Sequence, residues 1–171
     1  EAIQIACDQF SSLRTGQESV ALEFALNRVL AEDIRSNEFI PGFDRSTVDG
    51  YAVKSSDVFG CNDAIPALLT LVGEVGMGQS PSFSIGSGQC AGVPTGGEVP
   101  SGADTMVMVE HTEKIADGQI AVYKPSAPGA NMILRGEDTK PGQVMLPAGR
   151  RVNAADTGTL AALGITRVPV M

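Results

Sequence analysis

The stretch that decides the reading of this chain is Pro41-Gly-Phe-Asp-Arg-Ser-Thr-Val-Asp-Gly-Tyr-Ala-Val53. Two carboxylates, a cation and two hydroxyls crowd a turn-rich segment: Pro41-Gly42 punctuates it, Asp49-Gly50 is a second turn signal, and Tyr51-Ala52-Val53 is apolar and strand-prone. Such a segment presents Asp44, Arg45, Ser46, Thr47 and Asp49 at the rim of a sheet, where loops carry binding and catalytic groups.

Composition around this stretch favours strands and turns. The 171 residues include 20 glycines and 10 prolines, only two tyrosines and no tryptophan, which fits many short strands better than a helical bundle. A chain of this length can bury about 70% of its unfolded surface, enough for one domain or two small ones. The net charge of -8 is spread without a block of one sign, so the surface repels nucleic acid and anionic membranes. Cys7, Cys61 and Cys90 are far apart and form no CxxC pair, suggesting neither a disulfide framework nor a zinc site. The expected setting is a reducing cytoplasm. His111 is the single histidine, which argues against a histidine-based metal cluster or hydrolase triad. No apolar run reaches the roughly 18 residues of a membrane span, and no export signal is expected.

Towards the amino terminus, Ile3, Ala6, Phe10 and Leu13 recur at helical spacing before Gly16, predicting an amphipathic helix over residues 1–14. Val20, Leu22 and Phe24 alternate as in a strand, and Asn27 is expected to cap a short helix through Ala31. After Tyr51 the pattern is one of short strands: Ala67 to Val75, Gln89 to Val93, Thr105 to Val109 and Gln119 to Tyr123, with Asp117-Gly118 expected to join the last two as a hairpin. Towards the carboxyl end, Val144 to Leu146 reads as a strand and Asn153 as the cap of a helix with Asp156 at its third position. That helix is expected to stop at Gly164, before a final strand from Ile165 to Val170. The fold class expected is mixed α+β and rich in β: a discontinuous α/β lobe, 1–42 plus 137–171, with a compact β domain, 43–136, inserted into it.

Two more polar clusters stand out. Pro94 to Asp104, PTGGEVPSGAD, sets Thr95 beside Gly96 and Gly97, whose amides can approach an oxyanion closely, although a plain turn explains the same residues. Leu134 to Asp138, LRGED, brackets a glycine with Arg135 and Asp138. An arginine there can hold an oxyanion and the aspartate can bind magnesium directly or through water, with a surface ion pair as the simpler alternative.

In this order, PGFDRSTVDGYAV, PTGGEVPSGADTMVMVEHTE and RGEDTKPGQVMLPAGRRVNAADTGTLAALGITRVPV closely resemble the amino-terminal half of the molybdopterin molybdotransferases, the MoeA family, which includes homologues of the gephyrin E-domain type. The resemblance implies an enzyme of molybdenum cofactor biosynthesis. It takes adenylylated molybdopterin and molybdate, releases AMP and leaves molybdenum on the dithiolene, with Mg2+ in support. It further implies a cytoplasmic homodimer of four-domain chains, of which this piece supplies the first two domains, dimer contacts and one side of the active cleft. A fragment without the third, pocket-bearing domain is expected to be inactive alone, with its first helix uncovered. By motif, Asp49 and Asp138 are the implied catalytic or magnesium-organising carboxylates, Thr95 the substrate-positioning residue and Arg135 the anion holder. The competing reading is a non-catalytic assembly module of the same family.

Overall fold

The computed structural model describes residues 2–10, 16–115 and 118–171. Its elements in chain order are α1 (Ala2–Phe10), β1 (Glu18–Ala21), β2 (Ile34–Arg35), β3 (Arg45–Ser46), β4 (Gly50–Val53), β5 (Ala67–Glu74), β6 (Gln89–Val93), β7 (Thr105–Met108), β8 (Thr112–Lys114), β9 (Gln119–Val122), β10 (Met132–Ile133), β11 (Val144–Leu146), α2 (Ala154–Ala162) and β12 (Arg167–Val170). The chain divides into two compact units, Glu1–Asn37 with Pro141–Met171, and Glu38–Lys140.

In the first unit, β1 pairs antiparallel with β12 and β2 with β11, joining the two ends of the sequence. Leu30, Val152, Leu160, Val168 and Val170 are fully buried in its core. Helix α2 begins as its sequence predicts. The Asn153 side chain accepts from the Asp156 amide at 2.9 Å, and the Asp156 carboxylate accepts from the Asn153 amide at 3.0 Å, a reciprocal capping box. Gly164, at φ 68°, closes the other end, with the Ile165 amide reaching back to the Leu160 carbonyl. Arg150 grips Asp156 with two further bonds of 2.8 and 3.0 Å. These bonds, with the Asn153 amide, hold the Asp156 carboxyl below its ordinary pKa against the opposing effect of burial.

Asp156→Ala is therefore expected to cost about 2 kcal/mol, from a lost cap and lost charge-assisted bonds. Because the folded-state pKa is depressed, this contribution is present above the unfolded carboxyl's pKa of about 3.9 and fades as pH falls through the folded value. Thermal melts of both proteins should differ at neutral pH and converge in acid. A gap that stayed constant to pH 2 would contradict the assignment.

Residues 27–31 correct the sequence expectation of a short helix. Asn27 takes φ 65°, and Val29 and Leu30 form β-bridges to Arg151 and Val170. The amides of Asn27, Leu30 and Ala31 are taken by Val152, Arg150 and Pro169 from the other end of the chain, so long-range pairing overrides the local cap signal. Of the expected first helix, α1 covers Ala2–Phe10. Ile3 and Phe10 are 81% and 61% exposed, while Leu13 lies outside the described residues.

In the second unit, six strands form one sheet in the order β7-β4-β6-β5-β9-β8. All neighbours are antiparallel except β5 and β6. Tyr51, Val53, Leu69, Cys90, Val107 and Ile120 fill the core on one face, and Ala52, Val93 and Met106 belong to a second core with Val75 and Val99. Alternate residues of β4 and β7 thus reach two separate cores, which is why Met106 and Val107 are both buried. The expected hairpin between Thr105–Val109 and Gln119–Tyr123 is also corrected. The strand before β9 that pairs with it is β8, while β7 pairs with β4 at the opposite edge of the sheet. Thr112-Glu113-Lys114 is polar and carries no strand-like alternation of apolar residues, and Asp117 lies outside the described residues.

Candidate functional site

The three polar motifs meet on residues 44–49. The Ser46 amide donates to the Gly97 carbonyl at 3.0 Å and its carbonyl accepts from Gly96 at 2.8 Å. The Asp44 carbonyl accepts from the Val99 amide at 2.8 Å. On the other side, β3 pairs antiparallel with β10, and the Thr47 amide donates to the Asn131 carbonyl. The 41–53 segment is therefore the middle member of a three-way backbone ladder between the PTGGE turn and the strand leading to LRGED. The buried Ser46 hydroxyl turns the chain by donating to the Val48 carbonyl at 2.6 Å, which delivers Asp49 to the head of β4.

Asp49 and Thr95 are brought together. The Asp49 carboxylate accepts from the Thr95 amide at 2.7 Å and its hydroxyl at 3.0 Å. These two donors, the amide foremost, hold the Asp49 carboxyl below its ordinary pKa, so it stays ionised into mild acid. The Gly96 and Gly97 amides already serve the Ser46 and Pro94 carbonyls, so the oxyanion cradle expected there is not what this turn offers.

Arg135 is held at both ends. Its amide donates to the Asp44 carboxylate at 2.7 Å, and its guanidinium lies 4.2 Å from the centre of the Phe39 ring. Gly136, at φ 70°, packs so closely on this ring that a β-carbon would sit 2.5 Å from it. The Asp138 amide donates to the Ile40 carbonyl, while its exposed carboxylate has no hydrogen bond or ion pair among the described residues. A hollow of about 390 Å³ is lined by Arg135 with Phe43, Asp44, Glu98, Pro100 and Ser101. Of the four residues expected from sequence, Arg135 lines it, whereas Asp49, Thr95 and Asp138 do not. A larger hollow of about 590 Å³, around Cys61, His111 and Tyr123, contains none of them.

Sequence reasoning missed Phe39 altogether and treated Asp44 as one of several rim residues. The alternation of β3 with its neighbours could have pointed to Asp44, but nothing local marks Phe39. Among the described residues, no three His, Cys, Asp or Glu side chains converge as a metal cage, and Asp49 already spends one oxygen on Thr95. Mg2+ needs no such cage, since one or two carboxylates with water and a substrate phosphate suffice, and the second Asp49 oxygen and the Asp138 carboxylate are the groups here that could serve it.

The family model of the MoeA N-terminal region, domains I and II, matches residues 1–164. The chain belongs to the MoeA family. Among its relatives, the molybdopterin molybdenumtransferase of Staphylococcus aureus strain Mu50 is 36% identical over 171 residues, which is all of this chain and 40% of the relative. Gephyrin of Dictyostelium discoideum is 33% identical over 96% of this chain and 24% of its own length. The crystal structure of a molybdopterin biosynthesis MoeA protein from Pyrococcus horikoshii OT3 matches with a TM-score of 0.84 at 40% identity, covering 91% of this chain and 40% of that one. The chain thus spans well under half the length of these MoeA relatives. Its strand-rich build with few helices is that of the solved MoeA fold. Among the described residues, no helix is long and apolar enough to cross a membrane.

Proposed function

We propose that this chain supplies one side of the site at which a MoeA-family transferase acts on adenylylated molybdopterin and molybdate, releasing AMP. The observation that carries this reading is the convergence of three separated motifs on residues 44–49, which fixes Asp49 and Thr95 at one end and Arg135 at the other. Asp49 is the catalytic carboxylate: its orientation and its charge are both held by Thr95. Arg135 offsets the negative charge of the phosphoanhydride, and Asp138, whose carboxylate has no partner among the described residues, is the second carboxylate. A site that breaks a phosphoanhydride beside another oxyanion needs fixed charges of both signs. Asp49→Asn and Asp138→Asn, in a protein of the relatives' full length carrying this sequence, test the reading through AMP release. Turnover retained in the double variant would remove it.

A second role, assembly into a homodimer, would draw on the exposed Ile3, Ile5 and Phe10 of α1 wherever the third domain leaves them open. Phe10→Asp is expected to shift sedimentation of the full-length protein towards the monomer. An unchanged sedimentation coefficient would exclude α1 from the contact.

A further inference from the structure

We infer that Asp44 is the positioning residue of this site: it sets the LRGED turn so that the Arg135 guanidinium faces the hollow as an oxyanion receptor. The inference rests on the functional reading above and deepens it.

Three observations converge on Asp44. Its carboxylate takes the Arg135 amide at 2.7 Å, a bond spanning 91 positions of sequence. Its own backbone carbonyl takes the Val99 amide, tying it to the opposite wall of the hollow. Among the described residues, its acidic charge meets no basic side chain in an ion pair, so its one defined bond is spent on a backbone amide. A carboxylate accepting an amide bond is about twice as strong as a neutral acceptor, and its effect here is geometric. With the amide fixed by Asp44 and the side chain resting on Phe39, Arg135 has few orientations left. A guanidinium ordered before the anion arrives loses less entropy on binding it. The exposed Arg135 has no carboxylate partner among the described residues, so its donors remain available to a phosphate.

The test uses full-length, isotope-labelled protein with AMP as the probe, following the Arg135 backbone amide and its side-chain Nε–H by NMR. In the parent, AMP should shift the Nε–H signal. Asp44→Ala should weaken AMP binding at least tenfold, and the Arg135 amide should lose its protection from hydrogen exchange. Asp44→Asn keeps an acceptor oxygen in the same place and should stay within about threefold of the parent. Asp44→Glu, which displaces the acceptor by one methylene, should behave as Ala does. That pair decides the matter even if the alanine variant does not fold. A purely structural role would lower Tm in proportion across the series without this split in affinity. Equal AMP affinity in parent, Ala and Glu variants would overturn the positioning role and leave the functional reading intact. A parent whose Arg135 signals ignore AMP would overturn that reading and the positioning role together.

Discussion

Asp49→Asn is expected to lower AMP release by two orders of magnitude or more in the full-length protein while leaving Tm nearly unchanged. The substitution is isosteric, and the amide oxygen of asparagine can still accept the two Thr95 bonds of 2.7 and 3.0 Å. What it removes is the charge. Preorganised charges in an active cleft typically contribute 10²–10³ in rate each, and the loss should fall on kcat rather than on ground-state binding. Thr95 also makes a pH statement. Its donors depress the Asp49 pKa, so the acid limb of the rate profile should lie below that of an ordinary aspartate. Thr95→Val removes the hydroxyl donor and should move that limb upward. A limb that stayed in place would show that Asp49 ionisation does not govern the rate.

Gly50→Ala is the substitution expected to damage the fold most. Gly50 opens β4 and lies opposite Met108 in the ladder with β7, and a β-carbon there would sit 1.9 Å from the Val107 carbonyl oxygen. No rotamer relieves this contact, because both sides are backbone. The strands must separate, opening the sheet where Ala52, Met106 and Val107 are buried. A cost of about 3 kcal/mol or more follows from overpacking together with lost pairing, read by urea titration of parent and variant. The neighbouring Asp49 would lose its register with Thr95, so activity should fall alongside stability. An unaltered urea midpoint would mean that β4 and β7 are not paired as described.

Which parts of this were legible in sequence depends on the range of the forces involved. Helix α2 was readable because its signals are local: Asn153, Asp156 and Gly164 each act within a turn or two of where they stand. The strands from Gln89 and Val144 were readable because apolar runs flanked by glycine and proline have few other uses. Residues 27–31 misled because three backbone amides there bond to residues more than a hundred positions away, which no window of sequence contains. Strand β8 was missed because an edge strand can be polar throughout. Among the site residues, Asp49, Thr95, Arg135 and Asp138 were named from three long motifs. Their actual partners, Thr95 for Asp49 and Asp44 with Phe39 for Arg135, depend on the ladder through residues 44–47 and so on tertiary structure.

The pairing of β1 with β12 sets a schedule for the growing chain. Glu18 and Val20 have no strand to join until Val170 and Val168 have been made, whereas β4 finds both neighbours by Met108. During synthesis the middle of the sequence can therefore close first, while the ends wait. Released chains truncated near residue 145 should already protect the sheet from protease and still lose residues 18–37 to it.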